Sequence, residues 1–364
     1  MRLVTPFYGK HLEHGAKMVD VGGWQLASIY TSVEEEYHMV RERAGFIDYS
    51  FQYTIAVGGK DAFDYLQKIL VNDLRRIKPG KAIYSSLLYE TGKMVNDAVV
   101  LWLEDDLFLI VGGRNKIDAL NWLNKNKPGF EVSIVPMNLG MLCLQGPKSR
   151  EILQKKIDLK DLPYFGVKQG KLGDIPVIVA RVGFTGELGY ELYVYPEYAH
   201  ELWDTIMELG KEHKVGPYGL AASRPLSVEK GYVSSGDLYE GASPLELGLE
   251  WTVAFDKGDF IGKEALLKRK SAGLETKWVT FEVSDPKVIA SAKDKLLKGE
   301  KPAGQVTSNG VYSFAAGKSL GNGWVIPEYA SDGEELDLEH EGKLTKVKVT
   351  RRRWYDPEGK KVRA

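Results

Sequence analysis

The sequence predicts an α+β fold: two units with antiparallel sheets, followed by a small C-terminal β-barrel. Three observations predict it. A succession of strand, helix, hairpin, strand and helix runs through the first part of the chain and recurs after Gly140. The apolar stretches alternate with turn residues at hairpin spacing, which favours antiparallel sheets over a doubly wound parallel one. After about Leu274 the helical period stops and short strands separated by Gly, Asn, Asp and Pro take over, the composition of a small barrel.

The elements follow in order. Ser32-Val33-Glu34-Glu35 has capping-box spacing, and Val33, Tyr37 and Val40 then share one helical face before Gly45. A second helix is expected through "KDAFDYLQKILVNDL", with Phe63, Leu66, Ile69 and Leu70 on one side. "AIYSSLLY" and "AVVLWL" flank a turn at Gly92 and read as a hairpin; "FLIVGG" leads into the helical "KIDALNWLNKN". The second unit repeats this with "MLCLQG", "PKSREILQKKI", "IPVIVARV", "YELYVYP" and "YAHELWDTIMELGKEH". The barrel strands are "KWVTFEV", "AGQVTSN", "SLGNGWV" and "LTKVKVTRRRWY". The expected units are residues 1–140, 141–274 and 275–364, the first two possibly sharing strands, with no long linker between them.

Composition removes several function classes. The 364 residues carry a formal net charge of −1, which lacks the basic footprint of a general nucleic-acid binder. The basic cluster "RRRWY" reads as a solvated strand edge. The single cysteine, Cys143, lies in an apolar run and excludes a disulfide framework or a cysteine-built metal site. The 6 histidines form no H-x-x-x-H pair, so no metal is expected. No uncharged run reaches membrane-spanning length and no N-terminal apolar region resembles a leader, so a cytoplasmic protein is expected.

Two carboxylates stand in costly places. Asp97 follows Asn96 at the mouth of the apolar run Ala98-Val99-Val100-Leu101-Trp102-Leu103. On the local pattern alone it reads as a turn cap beside Thr91-Gly92-Lys93, yet a carboxylate there also fits a site. Glu191 lies between Tyr190 and Leu192 on a strand, where a charge needs a donor-rich partner. The adjacent N–H groups of an amino-pyrimidinone edge would be such a partner. The glycines of "RVGFTGELGYELYV" have the wrong spacing, and the wrong following element, for a dinucleotide fingerprint. They read locally as a tight hairpin, with close approach of a flat ligand left open.

Taken together, the segments resemble the glycine-cleavage T-protein (aminomethyltransferase) family and its folate-dependent relatives. The resemblance covers nearly the whole chain. It is carried by "TPFY", "HGAKMVDVGGW", "YTSVEEEYHMVRERAGFIDYS", "VNDLRRIKPGKAIYSSLLYETGKMVNDAVV", "LQGPKS", "FTGELGYEL", "EKGYVSSGDL", "SPLELGLEWTV", "DFIGKEALL" and "TSNGVYSFAAGKSLGNGWV", each weak alone and specific in this order. It implies a three-domain ring around a central tetrahydrofolate, which serves as one-carbon acceptor, with no flavin. It also implies roles. Asp97 is the carboxylate beside the reacting folate nitrogens, where it stabilises developing positive charge. Glu191 holds the pterin edge, Tyr84 contacts folate, and Phe165 and Phe184 line the slot, although plain core packing would also account for the aromatics.

The departures from the family pattern cluster on the same residues. The usual "FDVSHM" is here "IDYSFQY", which puts Phe51 and Gln52 at the donor end. The usual "VNAxN" is Val111-Gly112-Gly113-Arg114-Asn115, and the second arginine of "GARDxxRLEAG" is Ser227, with Arg224 displaced and followed by Pro225. Losing a bidentate carboxylate clamp at the folate tail weakens binding by about 1.5–3 kcal/mol unless Arg114, Arg224 or a lysine replaces it. Asn96-Asp97 in place of Asp-Asp looks like dimethylsulfoniopropionate demethylase, and the "SPLELGLEWTV" region looks like the folate domains of sarcosine and dimethylglycine dehydrogenases. These features point first to a demethylase that moves a methyl group from a small methylated donor to tetrahydrofolate. The alternative is an aminomethyltransferase acting on the lipoyl H-protein of glycine cleavage. A non-catalytic folate-binding assembly factor is a third reading, but its "KGCYxGQ" cysteine is absent from "EKGYVSSGD".

Overall fold

Ser32 caps the helix Val33–Glu42 by accepting the Glu35 amide at 3.1 Å, so the capping-box spacing is realised where the sequence places it. The computed structural model describes residues 2–113, 116–239, 241–350 and 353–364. Arg114, Asn115, Arg351 and Arg352, named above, lie outside the described residues.

The hairpin around Gly92 consists of Lys81–Leu88 and Met94–Glu104, paired antiparallel. It continues through Leu107–Gly112, Tyr53–Gly58 and Ser133–Met137 into a 5-stranded sheet, antiparallel throughout. The helices Ala62–Ile69 and Lys116–Lys125 cover one face, burying Leu66, Ile69, Ala119, Trp122 and Leu123 against Ile55, Val100 and Ile110. The first of these helices is shorter than its apolar pattern predicts: Leu70 is already extended and bridges to Leu87. Tertiary pairing outweighs helical period there.

A 6-stranded sheet follows, in the order Val167–Leu172, Ile175–Ala180, Gly189–Val194, Gly140–Gln145, Gly45–Asp48, Gly216–Pro217. Its Gly45–Asp48 strand comes from the first part of the chain. The helix Ala199–Leu209 buries Leu202, Trp203 and Ile206 on one face. The opposite face meets the first sheet across a shared core of Ile47, Leu101, Leu109, Val111, Met141, Cys143 and Ala180. Cys143 is a buried core residue, as its apolar run predicts. At the N-terminus Leu3–Val4, Trp24–Ile29 and Lys17–Val21 add a 3-stranded sheet that the apolar pattern does not announce.

From Lys277 onward the strands close into a 6-stranded barrel: Lys277–Val283, Lys318–Val325, Lys301–Ser313, Lys295–Lys298, Glu335–His340 and Lys343–Thr350. The fold is therefore α+β with a C-terminal barrel, as expected, and its sheets are antiparallel but for the short parallel pairs made by Leu3–Val4 and Gly216–Pro217. Of "RRRWY", the described Arg353, Trp354 and Tyr355 lie outside any strand. Trp354 instead donates to Glu282 at 3.1 Å, and the Tyr355 ring lies 3.5 Å from the Arg41 guanidinium.

The helix Leu220–Lys230 ties the units together and carries Pro225 in its interior. Its buried Glu229 accepts from Tyr37 at 2.7 Å and Arg41 at 2.8 Å on one side, and from Ser313 in the barrel at 2.7 Å on the other. A buried carboxylate needs this many donors, and the requirement locks the helix between the Val33–Glu42 helix and the barrel.

Candidate functional site

One cavity of about 1590 Å³ opens where the two sheets, the Leu220–Lys230 helix and the barrel meet. Phe51, Gln52, Tyr84, Asp97, Phe165, Phe184, Glu191 and Ser227 all line it, so these residues singled out from the sequence face the same space.

Asp97 is not a turn cap. It is an internal residue of the strand Met94–Glu104, opposite Ser86, while the turn itself is closed by Tyr89 N–H to Lys93 O at 2.9 Å. The Tyr84 hydroxyl donates to Asp97 Oδ2 at 2.7 Å, and the buried Asn96 accepts the Asp97 amide at 3.0 Å. Burial and then the Asp97 charge push the Tyr84 phenol well above its usual range, so it stays a donor at neutral pH. Trp251, 64% exposed, stacks on Tyr84 at 6.1 Å and covers this end of the cavity.

Glu191 stands on the other sheet, opposite Cys143 and Ala180, with Tyr193 donating to its Oε2. Burial pushes it up to about 7, against the lowering effect of the Tyr193 hydrogen bond. An acid in so apolar a setting changes charge near neutrality and is well suited to bind paired N–H donors.

The aromatic walls are positioned by the backbone. Phe165 adopts a left-handed φ of 59°, rare for a bulky residue. Its N–H donates to Arg181 O at 3.0 Å and its carbonyl accepts Ala82 N–H at 2.8 Å, which stitches the two sheets together at the cavity. Phe184 stacks on Tyr232 at 5.6 Å and 19°. Phe51 makes an edge contact with Tyr49 at 5.7 Å, and the Tyr49 hydroxyl is hydrogen-bonded to Ser223.

The glycine run has a structural explanation in tight space, and Gly183 also lines the cavity. A Cβ at Gly183 or Gly189 would run into the buried Gln145 amide, and one at Gly186 would run into Lys230. Gln145 in turn accepts Thr185 Oγ1 at 2.9 Å and donates to Val182 O at 3.3 Å. Gly189→Ala is therefore expected to cost about 1–3 kcal/mol through overpacking, read as a lower urea midpoint. An unchanged midpoint contradicts this account of the motif.

Ser227 is buried and donates to Arg224 O at 2.9 Å. Arg224 itself faces the cavity, donating to Ser234 at 2.9 Å, to Ser308 and to Asn309 O at 3.3 Å, and Arg353 and Arg363 line the same space. Pattern reading from the sequence missed Tyr49, Tyr164, Tyr232, Trp251 and Arg353, all of which line the cavity. Trp251 and Tyr232 sit in quoted motifs, Tyr49 within a noted departure and Arg353 within the basic cluster, so adjacency was the available signal; Tyr164 gave none. Among the described residues, Glu151, Glu212 and His213 come close enough to hold an ion. They lie outside the cavity lining, and Lys148 and Lys155 already pair with Glu151 and Glu212. No described helix is long and apolar enough to cross a membrane.

Comparison with known proteins places this architecture. It resembles the crystal structure of glycine cleavage system aminomethyltransferase T from Bartonella henselae, with a TM-score of 0.92 and 26% identity over 98% of this chain and 99% of that one. The aminomethyltransferase of Halothermothrix orenii is 38% identical over 92% of this chain and 94% of its own length, and that of Desulfitobacterium hafniense is 36% identical over 98% of each. The family descriptions that match are the GCVT N-terminal domain, over residues 7–257, and the glycine cleavage T-protein C-terminal barrel domain, over residues 277–356. These matches define an enzyme, a one-carbon transferase by class. The chain belongs to the glycine cleavage T-protein (aminomethyltransferase) family. The relatives named here are aminomethyltransferases, so they favour the aminomethyl alternative over the expectation of a small methylated donor drawn from Phe51, Gln52 and Ser227.

Proposed function

We propose that the protein is an aminomethyltransferase that takes the aminomethyl group from the lipoyl arm of an H-protein, passes its carbon to tetrahydrofolate in the central cavity, and releases ammonia. The observation that carries this reading is the single cavity shared by Asp97, hydrogen-bonded to Tyr84, and the buried Glu191 on the opposing sheet. The residues present fit a reduced pterin. Phe165 and Phe184 offer flat walls, and Glu191 offers two oxygens to paired N–H donors. Arg224, Arg353 and Arg363 bring cations to the cavity, so Ser227 does not leave the folate carboxylates without partners. In this assignment Asp97 stabilises positive charge developing at the transferring carbon, Tyr84 fixes the orientation of that carboxylate, and Phe51 and Gln52 border the donor. No metal and no flavin is assigned a role.

The test is to mix the protein with tetrahydrofolate and aminomethyl-loaded lipoyl H-protein and follow ammonia. Multiple-turnover release that depends on both is expected. Release no faster than from loaded H-protein alone rejects the reading and returns the small methylated donor as the hypothesis to pursue.

A further inference from the structure

Gly112 and Tyr53 are partners across neighbouring antiparallel strands, and Gly112 has no left-handed backbone that would require glycine. It is glycine for lack of space: a Cβ built there would run into the Tyr53 hydroxyl and ring, with Cε1 at 2.9 Å. Tyr53 is 3% exposed, and its hydroxyl is buried beside the Asn96 side chain with no well-formed hydrogen bond among the described residues. The strand order puts Gly112 between Tyr53 and the strand bearing Asn96 and Asp97. Burial pushes the phenol well above its usual range, and the nearby Asp97 charge adds to that push. The register puts Tyr53, Gly112 and Asn96 on the helix-covered face of the sheet and Asp97 with Tyr84 on the cavity face, so the phenol meets Asn96, whose Oδ1 accepts the Asp97 amide at 3.0 Å.

We propose that Tyr53, lying across Gly112, is a positioning residue for Asp97 that acts through Asn96: its ring fills the place of a side chain at 112, and its hydroxyl steadies the Asn96 side chain that accepts the Asp97 amide. This rests on the transfer reading above. Tyr84 grips Asp97 on the cavity face of the sheet, and Tyr53 meets Asn96 on the opposite face. A carboxylate held by one phenol, with its backbone amide tied to an Asn96 steadied by the other, needs no reorganisation as charge develops in front of it.

The test uses the full chain, tetrahydrofolate and aminomethyl-loaded H-protein. Tyr53→Phe keeps the ring and removes only the hydroxyl. We expect kcat to fall about tenfold while KM for tetrahydrofolate and the melting temperature stay near wild type, the signature of an interaction made in the transition state. Gly112→Ala is expected to lose stability as well as turnover, and Tyr53→Leu/Gly112→Ala to regain stability without regaining kcat. Wild-type kcat in Tyr53→Phe, or full kcat in the double variant, overturns the proposal while leaving the transfer reading standing. Absence of turnover by the wild-type protein overturns both.

Discussion

Asp97→Asn lowers the rate of one-carbon transfer by about two to three orders of magnitude, the usual cost of removing a fixed charge-stabilising group from an active site. Reduced-folate affinity changes little, because the pterin edge is assigned to Glu191 on the other sheet. The amide keeps the shape of Asp97 and can still accept from the Tyr84 hydroxyl, which stands at 2.7 Å from the native carboxylate. What it loses is the negative charge. Single-turnover kinetics beside calorimetric titration of tetrahydrofolate separates the two effects. A rate within a few-fold of wild type makes Asp97 an ordinary strand residue; a large loss of affinity makes it a binding residue.

Glu191→Gln has the second large effect, and it falls on affinity. Replacing a charge-assisted pair by a neutral one, with an amide N–H turned toward the donors of the pterin edge, costs about 1.5–3 kcal/mol. That is a loss of affinity of about tenfold to somewhat over a hundredfold. The pH dependence has a definite sign. Glu191 titrates at about 7 in the ligand-free protein, and paired N–H donors need its anion. Affinity therefore falls as pH drops through 7, approaching tenfold per pH unit on the acid side, and proton release accompanies binding there. Ligand-free stability runs the opposite way. The folded-state value lies above the unfolded one, near 4.5, so the stabilising contribution of neutral Glu191 is fully present below that value and is lost as pH rises toward 7. In Glu191→Gln both dependences flatten. A steep acid-side fall that persists in the variant assigns the titration to another group.

The sequence made the sheets legible because their chemistry is local. Alternation and turn residues placed the Gly92 hairpin and the Gly189–Val194 strand, and the loss of helical period after Leu274 announced the barrel. Where local rules compete with tertiary packing, the reading fell short. Leu70 leaves the helical pattern to pair with Leu87, and the Leu220–Lys230 helix runs through Pro225 because Glu229 and its buried donors hold it. The glycines around Phe184 hinted at a ligand, but they are spaced around the Gln145 amide, a partner from a distant segment that no local pattern encodes. The site was legible through its costly carboxylates, since Asp97 and Glu191 stand where burial penalises charge and both face one cavity. Tyr53 was not, because its role depends on an empty space at Gly112 on a different strand. The altered residues Phe51, Gln52 and Ser227 suggested a new donor, but full-length likeness to aminomethyltransferases outweighs them. Part of the explanation is spatial, for Ser227 is buried under Arg224 while arginines from elsewhere in the chain face the cavity.

The identity of the folate product decides the central claim. An aminomethyl carbon that loses ammonia arrives as a methylene bridge, whereas a methylated donor delivers a methyl group, and the two products differ in mass. After incubation with aminomethyl-loaded H-protein and tetrahydrofolate, mass spectrometry is expected to find methylene-tetrahydrofolate, formed in step with ammonia and nearly absent with Asp97→Asn. Methyl-tetrahydrofolate accumulating from a small methylated donor, with loaded H-protein left intact, would contradict the account.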